Sequence, residues 1–152
     1  MYPTTHRRVV PFQAQHLEQV LLLGLVEPAG CWLSGPSIGR LLEEQNCYTV
    51  LVDDCPVACY GTVQFWPGVS QAILLFTAEA RPMTHWVFRH MRRFLDSVPG
   101  RVEATVTTNL PEGQRTVRAL GFWIENPPGI LRKYGLNGED HIAYVRFAGE
   151  KH

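Results

Sequence analysis

The sequence predicts a single α/β domain, in the α+β sense, with helices flanking a sheet in the order β-α-α-β-β-β-α-β-α-β-β. Three observations predict it. The chain has 152 residues, 45% hydrophobic and 18% charged, the size and composition of one globular core. The spacing of apolar residues alternates along the chain between a strand period of two and a helical period of three to four. Turn formers stand where the period changes: Asp53-Asp54-Cys55-Pro56, Pro67-Gly68 and Pro99-Gly100.

The elements follow in order. Arg8 to Phe12 is a short strand-like run. Ala14 to Gly24 carries Leu17, Val20 and Leu21 at helical spacing, which Leu25 just beyond it continues, and ends on glycine. Val26 to Gly35 holds Pro28, Gly30 and Gly35 and reads as a loop, after which Ser37 to Gln45 places Ile38, Leu41 and Leu42 on one helical face. Cys47 to Val52 and Pro56 to Trp66 are β-branched and aromatic and form a hairpin about the Asp-Asp-Cys-Pro turn.

Gln71 to Thr77 is an apolar strand, and Met83 to Ser97 is a helix with Trp86 or Val87, Met91, Phe94 and Leu95 on one face. Val102 to Thr108 alternates as a strand, and Gly113 to Leu120 is a short helix. Trp123 to Glu125 is a further strand. Asn126 to Asp140 is rich in proline and glycine, with room for an extended piece at Ile130 to Tyr134, and His141 to Phe147 is the last strand.

Composition excludes several classes of function. Apolar runs such as Val20 to Val26 fall well short of the ~20 residues of a membrane span, so no membrane partner is expected. The stretch after His6, Arg7 and Arg8 is broken by Pro11, Gln13, Gln15, His16 and Glu18; it lacks a secretory core, and the expected location is the cytoplasm. A net charge of zero offers no general attraction to nucleic acid, which is not expected as a partner unless through a local patch. Cys31, Cys47, Cys55 and Cys59 contain no C-x-x-C pair and lack the companions of a zinc site, so reduced, mostly buried thiols and no metal are expected.

Within this frame the strand Val102 to Thr108, then Asn109, a short helix, and Arg118-Ala119-Leu120-Gly121-Phe122 resemble the strand, asparagine, helix and terminal Leu-Gly-Phe of the GNAT N-acyltransferases. Leu75-Phe76-Thr77-Ala78, leading to the basic helix Phe88-Arg89-His90-Met91-Arg92-Arg93-Phe94-Leu95, is similar to the small GNAT-like internal virion proteins of short-tailed bacteriophages. The resemblance spans about two thirds of the chain. It implies a mixed, mostly antiparallel central sheet, acetyl-CoA as cofactor, and a small amine or a protein as acceptor. Its phage branch implies a bacterial host cytoplasm or a virion as location, with a host or virion protein as partner.

The same resemblance locates a site and exposes departures from it. Active members carry Arg/Gln-x-x-Gly-x-Gly/Ala at the start of the central helix, where glycines let backbone N–H groups reach the coenzyme A pyrophosphate. Here the stretch is Arg81-Pro82-Met83-Thr84-His85-Trp86, with Thr84 and Trp86 in place of the small residues. The cofactor-binding residues implied are Thr77, Ala78, Arg81, Thr84, His85 and Asn109. Thr84 is expected to cap the helix, near Arg89 and the helix dipole. Val117 stands where many members have a tyrosine that protonates the departing thiolate.

Acyl transfer to an amine needs a base, and Glu79 and Glu103 are the candidate catalytic carboxylates. Glu103 shares a strand face with Thr105 and Thr107; it either looks into a cleft or pairs with Arg101 or Arg118. Asn109 makes a turn or caps the next helix rather than binding substrate, unless the family role holds. Phe65, Trp66, Trp86, Phe122 and Trp123 are expected in the core, and Trp32 either folds onto it or meets a partner. Three functions are weighed: an N-acyltransferase; a GNAT-fold protein without cofactor that works by binding a host protein or in virion assembly; and, against the overall balance of acidic and basic residues, nucleic-acid binding through Arg89, Arg92 and Arg93. The oligomeric state is not legible.

Overall fold

Each amphipathic stretch has one apolar stripe to bury, and the two helical pairs bury theirs on opposite faces of one sheet. The computed structural model describes residues 5–24, 36–135 and 137–150. Its elements are β1 (Arg7–Pro11), α1 (Ala14–Leu23), α2 (Pro36–Glu44), β2 (Asn46–Val52), β3 (Cys55–Trp66), β4 (Val69–Phe76), α3 (Thr84–Ser97), β5 (Arg101–Thr107), α4 (Pro111–Ala119), β6 (Ile130–Leu131) and β7 (His141–Phe147). The strands form one seven-stranded sheet in the order β1-β2-β3-β4-β5-β7-β6. All neighbours are antiparallel except β4 and β5.

The β2–β3 turn has Asp53 and Asp54 both at positive φ, 48° and 65°, the geometry that a two-residue hairpin needs and that aspartate tolerates. Asp53 Oδ1 also accepts the His6 N–H at 3.0 Å, tying the turn to β1. On one face, α3 and α4 cover Val50, Tyr60, Val102, Ala104, Val106 and Tyr144 with Val87, Met91, Leu95 and Leu120. On the other, α1 and α2 cover Cys47, Cys59, Ile73 and Leu75 with Leu17, Val20 and Leu42.

That second face carries a buried polar chain. The Gln13 N–H is donated to His16 Nδ1 at 3.1 Å, so Nδ1 is unprotonated and the Thr49 hydroxyl, 2.8 Å away, donates to it as well. The Cys59 thiol lies 3.6 Å from the same hydroxyl. Burial lowers the pKa of His16, against the pull of Glu43. Burial also raises the Cys47 and Cys59 thiols to about 11 and about 12, which leaves both unreactive.

Several expectations change. The buried stripe of α1 is His16, Leu17 and Val20 rather than one including Leu21, which is exposed, because His16 finds polar partners in the sheet. Trp123 to Glu125 forms no strand; Trp123 makes a single bridge to Val145, and the penultimate strand is Ile130–Leu131. Phe65 and Trp66 are exposed at 48% and 61%, because β3 outruns the helical layer at the hairpin end. Cys55 is exposed while Cys47 and Cys59 are buried. Leu25, the Val26 to Gly35 loop, Cys31 and Trp32 lie outside the described residues.

Candidate functional site

The one parallel pairing in the sheet is short. Val69, Ser70 and Gln71 pair with Arg101, Val102 and Glu103; beyond them β4 and β5 part, although β4 continues to Phe76 and β5 to Thr107. From Gln71 to Phe76, at about 3.3 Å per residue, the wedge between them is about 17 Å long. Outside it both strands stay fully paired, β4 with β3 and β5 with β7. The backbone edges facing into the wedge therefore have no ladder among the described residues, and an extended ligand can supply one.

At the wide end, Thr77 is sealed at 0% exposure. Its hydroxyl and its N–H both go to the Val57 carbonyl, at 2.6 and 3.2 Å, so Thr77 has no side-chain or amide donor left for a cofactor. Ala78–Met83 is a 3₁₀ turn that runs directly into α3. The Ala80 N–H bonds Thr77 O at 3.1 Å and the Thr84 N–H bonds Arg81 O; Pro82 has no N–H to offer. The Thr84 hydroxyl donates to Arg81 O as well, at 2.7 Å. Thr84 does not cap α3, then; Met83 holds that position without a side-chain bond, since the i−3 carbonyl of a 3₁₀ turn is the nearer acceptor.

Coenzyme A can be tested against this geometry. A pyrophosphate at the start of α3 needs free, convergent N–H groups and small side chains around them; here the 3₁₀ turn takes the Ala80 and Thr84 N–H groups, and Pro82 has none. The residues present do not fit a pyrophosphate cradle. Trp86 adds bulk there: its ring lies against His90 with centroids 4.0 Å apart and planes tilted by 37°, and His90 Nδ1 lies 2.8 Å from the Trp86 carbonyl. Ala78, Glu79, Arg81 and His85 are exposed around the turn.

The two nominated carboxylates are not brought together. Glu79 stands at the wide end and Glu103 at the apex, level with Gln71. Glu103 Oε1 accepts from Arg101 Nε at 2.7 Å, and Arg101 Nη1 reaches both Glu125 oxygens at 2.9 Å. The Glu103 hydrogen bond, ahead of the Glu125 charge, raises the pKa of Arg101. Of the two pairings considered for Glu103, the one with Arg101 is made. Asn109 is exposed in the turn after β5, and Leu110 holds the α4 cap position without a side-chain bond; the turn role holds and the cap role does not.

Sequence reasoning named Thr107 as sharing the strand face of Glu103, and missed His141 and Tyr144. Thr107 and His141 are cross-strand partners on β5 and β7, on the face away from α3 and α4. Thr107 Oγ1 and both His141 ring nitrogens are buried without a hydrogen bond among the described residues. Glu139 Oε1 lies 3.5 Å from His141 Nε2, and the Tyr134 ring stands 5.2 Å from the imidazole. The pKa of Glu139 is lowered, first by its own backbone N–H and then by His141. On the opposite face, Tyr144 is 2% exposed with an unpartnered hydroxyl, in the cluster against which Val117 packs. The run Glu139-Asp140-His141 before the last strand was the available signal for the first pair. Nothing local marks Tyr144, whose value depends on which strand lies beside β7.

A cavity of about 330 Å³ opens elsewhere, at the Gly68 end of the sheet, lined by Thr62, Gln64, Ser70 and Pro99; none of the nominated residues lines it. Among the described residues, no helix is long and apolar enough to cross a membrane, and no group of three or more His, Cys, Asp or Glu side chains is placed to hold a metal.

No protein-family model and no curated protein matches the chain. Solved structures do. The chain is similar to smu.2055 from Streptococcus mutans UA159, with a TM-score of 0.70 at 16% identity over 93% of this chain and 99% of that one. An acetyltransferase of the GNAT family from Bacillus anthracis aligns with a TM-score of 0.66 at 11% identity over 99% and 100%. The ribosomal-protein-S18-alanine N-acetyltransferase from Escherichia coli aligns with a TM-score of 0.65 at 12% identity over 97% of each chain. At these identities the likeness establishes the fold: a mixed, mostly antiparallel sheet flanked by helices, in the GNAT arrangement.

Proposed function

We propose that the chain is a GNAT-fold N-acyltransferase whose acyl donor, a thioester, is held along its arm in the β4–β5 wedge rather than by a pyrophosphate cradle. The observation that carries this reading is a set of buried polar atoms without a hydrogen bond among the described residues on the two strands beside the wedge, β5 and β7: Thr107 Oγ1 and the His141 ring on one face, and the Tyr144 hydroxyl on the other. Orphaned buried polar groups are costly, and a bound reactant is one thing that satisfies them. In this reading His141, steadied by Glu139, accepts a proton from the attacking amine while the Thr107 hydroxyl orients it. Tyr144 supplies the acidic hydroxyl that Val117 cannot. Glu103, committed to Arg101, is left out of the chemistry.

A second reading is favoured by the 3₁₀ turn before α3: a GNAT-fold protein without cofactor, acting through a host or virion protein partner. Calorimetry separates the two. If the arm is what is recognised, S-acetylpantetheine binds within about tenfold of acetyl-CoA, and His141→Gln lowers amine acetylation more than binding. No binding of either ligand at millimolar concentration, by the native chain or by Trp86→Gly, removes the enzyme reading. Binding gained only in Trp86→Gly identifies a blocked site and supports the second.

A further inference from the structure

The net charge of zero conceals a strongly divided surface. On α3, Arg89, Arg92 and Arg93 are exposed, and on α4, Arg115 and Arg118 are exposed one turn apart. The two helices cover the same face of the sheet and are linked where Arg92 Nη1 donates to the Ala119 carbonyl at 3.1 Å. The acid on α3, Asp96, is already bound to Arg146, a guanidinium only 5% exposed. That leaves Glu112, in the first turn of α4 where it answers the helix dipole, as the free carboxylate of the pair. The other helical layer has the opposite sign among the described residues, with Glu18, Glu43 and Glu44 against Arg40.

An ordinary solvated helix face mixes signs and pairs them at i,i+4. Here none of the five guanidinium groups makes an ion pair among the described residues. Within each helix Arg89 and Arg93 are four residues apart, Arg92 and Arg93 adjacent, and Arg115 and Arg118 three apart. Such i,i+3 and i,i+4 spacings put Cβ atoms about 5–6 Å apart, inside the Debye length of about 8–10 Å, where mutual repulsion is poorly screened. A polyanion relieves that repulsion. The chemistry of the face narrows which one: the exposed large apolar side chains of the described residues lie on α1, α2, β3, β6 and the loop after it, and none on α3 or α4. A protein interface needs an apolar centre and a membrane-surface helix needs apolar residues to insert; a phosphate backbone needs neither and matches the guanidinium fork.

We propose that the exposed α3–α4 face is a sequence-independent binding surface for the phosphate backbone of nucleic acid, formed by Arg89, Arg92, Arg93, Arg115 and Arg118. It stands apart from the acyl-transfer reading, since the wedge lies at the strand edges beneath these helices. The expectation of no nucleic-acid partner rested on net charge, which cannot register how charge is divided between two faces.

The test is fluorescence anisotropy of a labelled mixed-sequence DNA duplex of about 20 base pairs titrated with the native chain. Five phosphate contacts give a slope of about −4.5 in log K against log salt, a loss of about 500-fold between 50 and 200 mM. An Arg89→Ala, Arg93→Ala, Arg115→Ala variant, whose altered side chains have no hydrogen bond to lose, brings the slope to about −2 with an unchanged circular dichroism spectrum. Arg40→Ala, on the other layer, leaves binding unchanged. No retention of duplex at 50 mM salt overturns the proposal, as does binding that the triple variant keeps, or binding to phosphatidylserine vesicles without binding to DNA.

Discussion

Gly61 lies in the middle of β3, directly opposite Cys47 on β2, at a backbone conformation open to any residue, and yet it has no room for a side chain. A Cβ there would stand 2.4 Å from the Asn46 carbonyl oxygen, 2.6 Å from Cys47 Cα and 2.7 Å from Cys47 Sγ. Comfortable contact begins at about 3.5 Å, so in Gly61→Ala the two strands must separate locally by on the order of 1 Å. Neither can retreat, because Thr49, Val50 and Cys59 are fully or nearly buried beneath helices on both faces. Overpacking against backbone rather than a flexible side-chain tip belongs at the upper end of its range, about 3 kcal/mol. For a domain of this size that is a fall in Tm of about 6–12 °C, read by calorimetry or circular dichroism. Gly68→Ala is the control: φ there is 91° with nothing within 4 Å, so its cost is conformational, about 1 kcal/mol, and asparagine recovers part of it. A loss of under about 2 °C in Gly61→Ala, or recovery by Gly61→Asn, refutes the steric argument.

Three further outcomes follow from the buried polar groups. The pKa of His16 is lowered below 6.5 in the folded state, so the unfolded chain binds the extra proton first; this contribution is present above pH 6.5 and is lost as pH falls through it. Urea midpoints at about pH 7.5 and 5.5 show the loss, and His16→Gln reduces the difference between them. Asp96→Asn strips the buried Arg146 of its carboxylate and costs about 1.5 kcal/mol in urea unfolding, below the range for a fully buried pair because Asp96 is itself exposed, while Arg146→Met in the same background restores much of it. In a Cys31→Ser background, Ellman's reagent modifies one thiol of the native protein, Cys55, because Cys47 and Cys59 are buried with raised pKa values of about 11 and about 12.

Element order was legible because each element carries its own period or turn: the Asp53-Asp54 hairpin, the glycine ending α1 and the apolar run of β4 are local signals. Trp123 to Glu125 misled for a nonlocal reason, since whether an extended piece becomes a strand depends on how much of the β7 edge it meets. The site was legible in outline and misread in detail. The loss of glycines at Thr84 and Trp86 pointed to an altered cradle, but the 3₁₀ turn that takes the Ala80 and Thr84 N–H groups is a property of how β4 enters α3. Glu103 was nominated without its Arg101 and Glu125 partners, the second of which is distant in sequence. His141 and Thr107 acquire meaning only through the β5–β7 register, which no single strand encodes.

The unequal covering of the sheet sets the order in which the molecule opens. The layer of α1 and α2 rests on a small cluster, in which a histidine, a threonine and a cysteine hold part of the seam by hydrogen bonds, whereas α3 rests on a broad apolar bed reaching from Val50 to Tyr144. Opening free energy follows buried apolar area. In native-state hydrogen exchange the amides of α1 and α2 therefore exchange as an early unit, ahead of α3 and β5, and acid widens the gap by protonating His16. The last structure to yield is the paired centre of the sheet and α3, which rests on it.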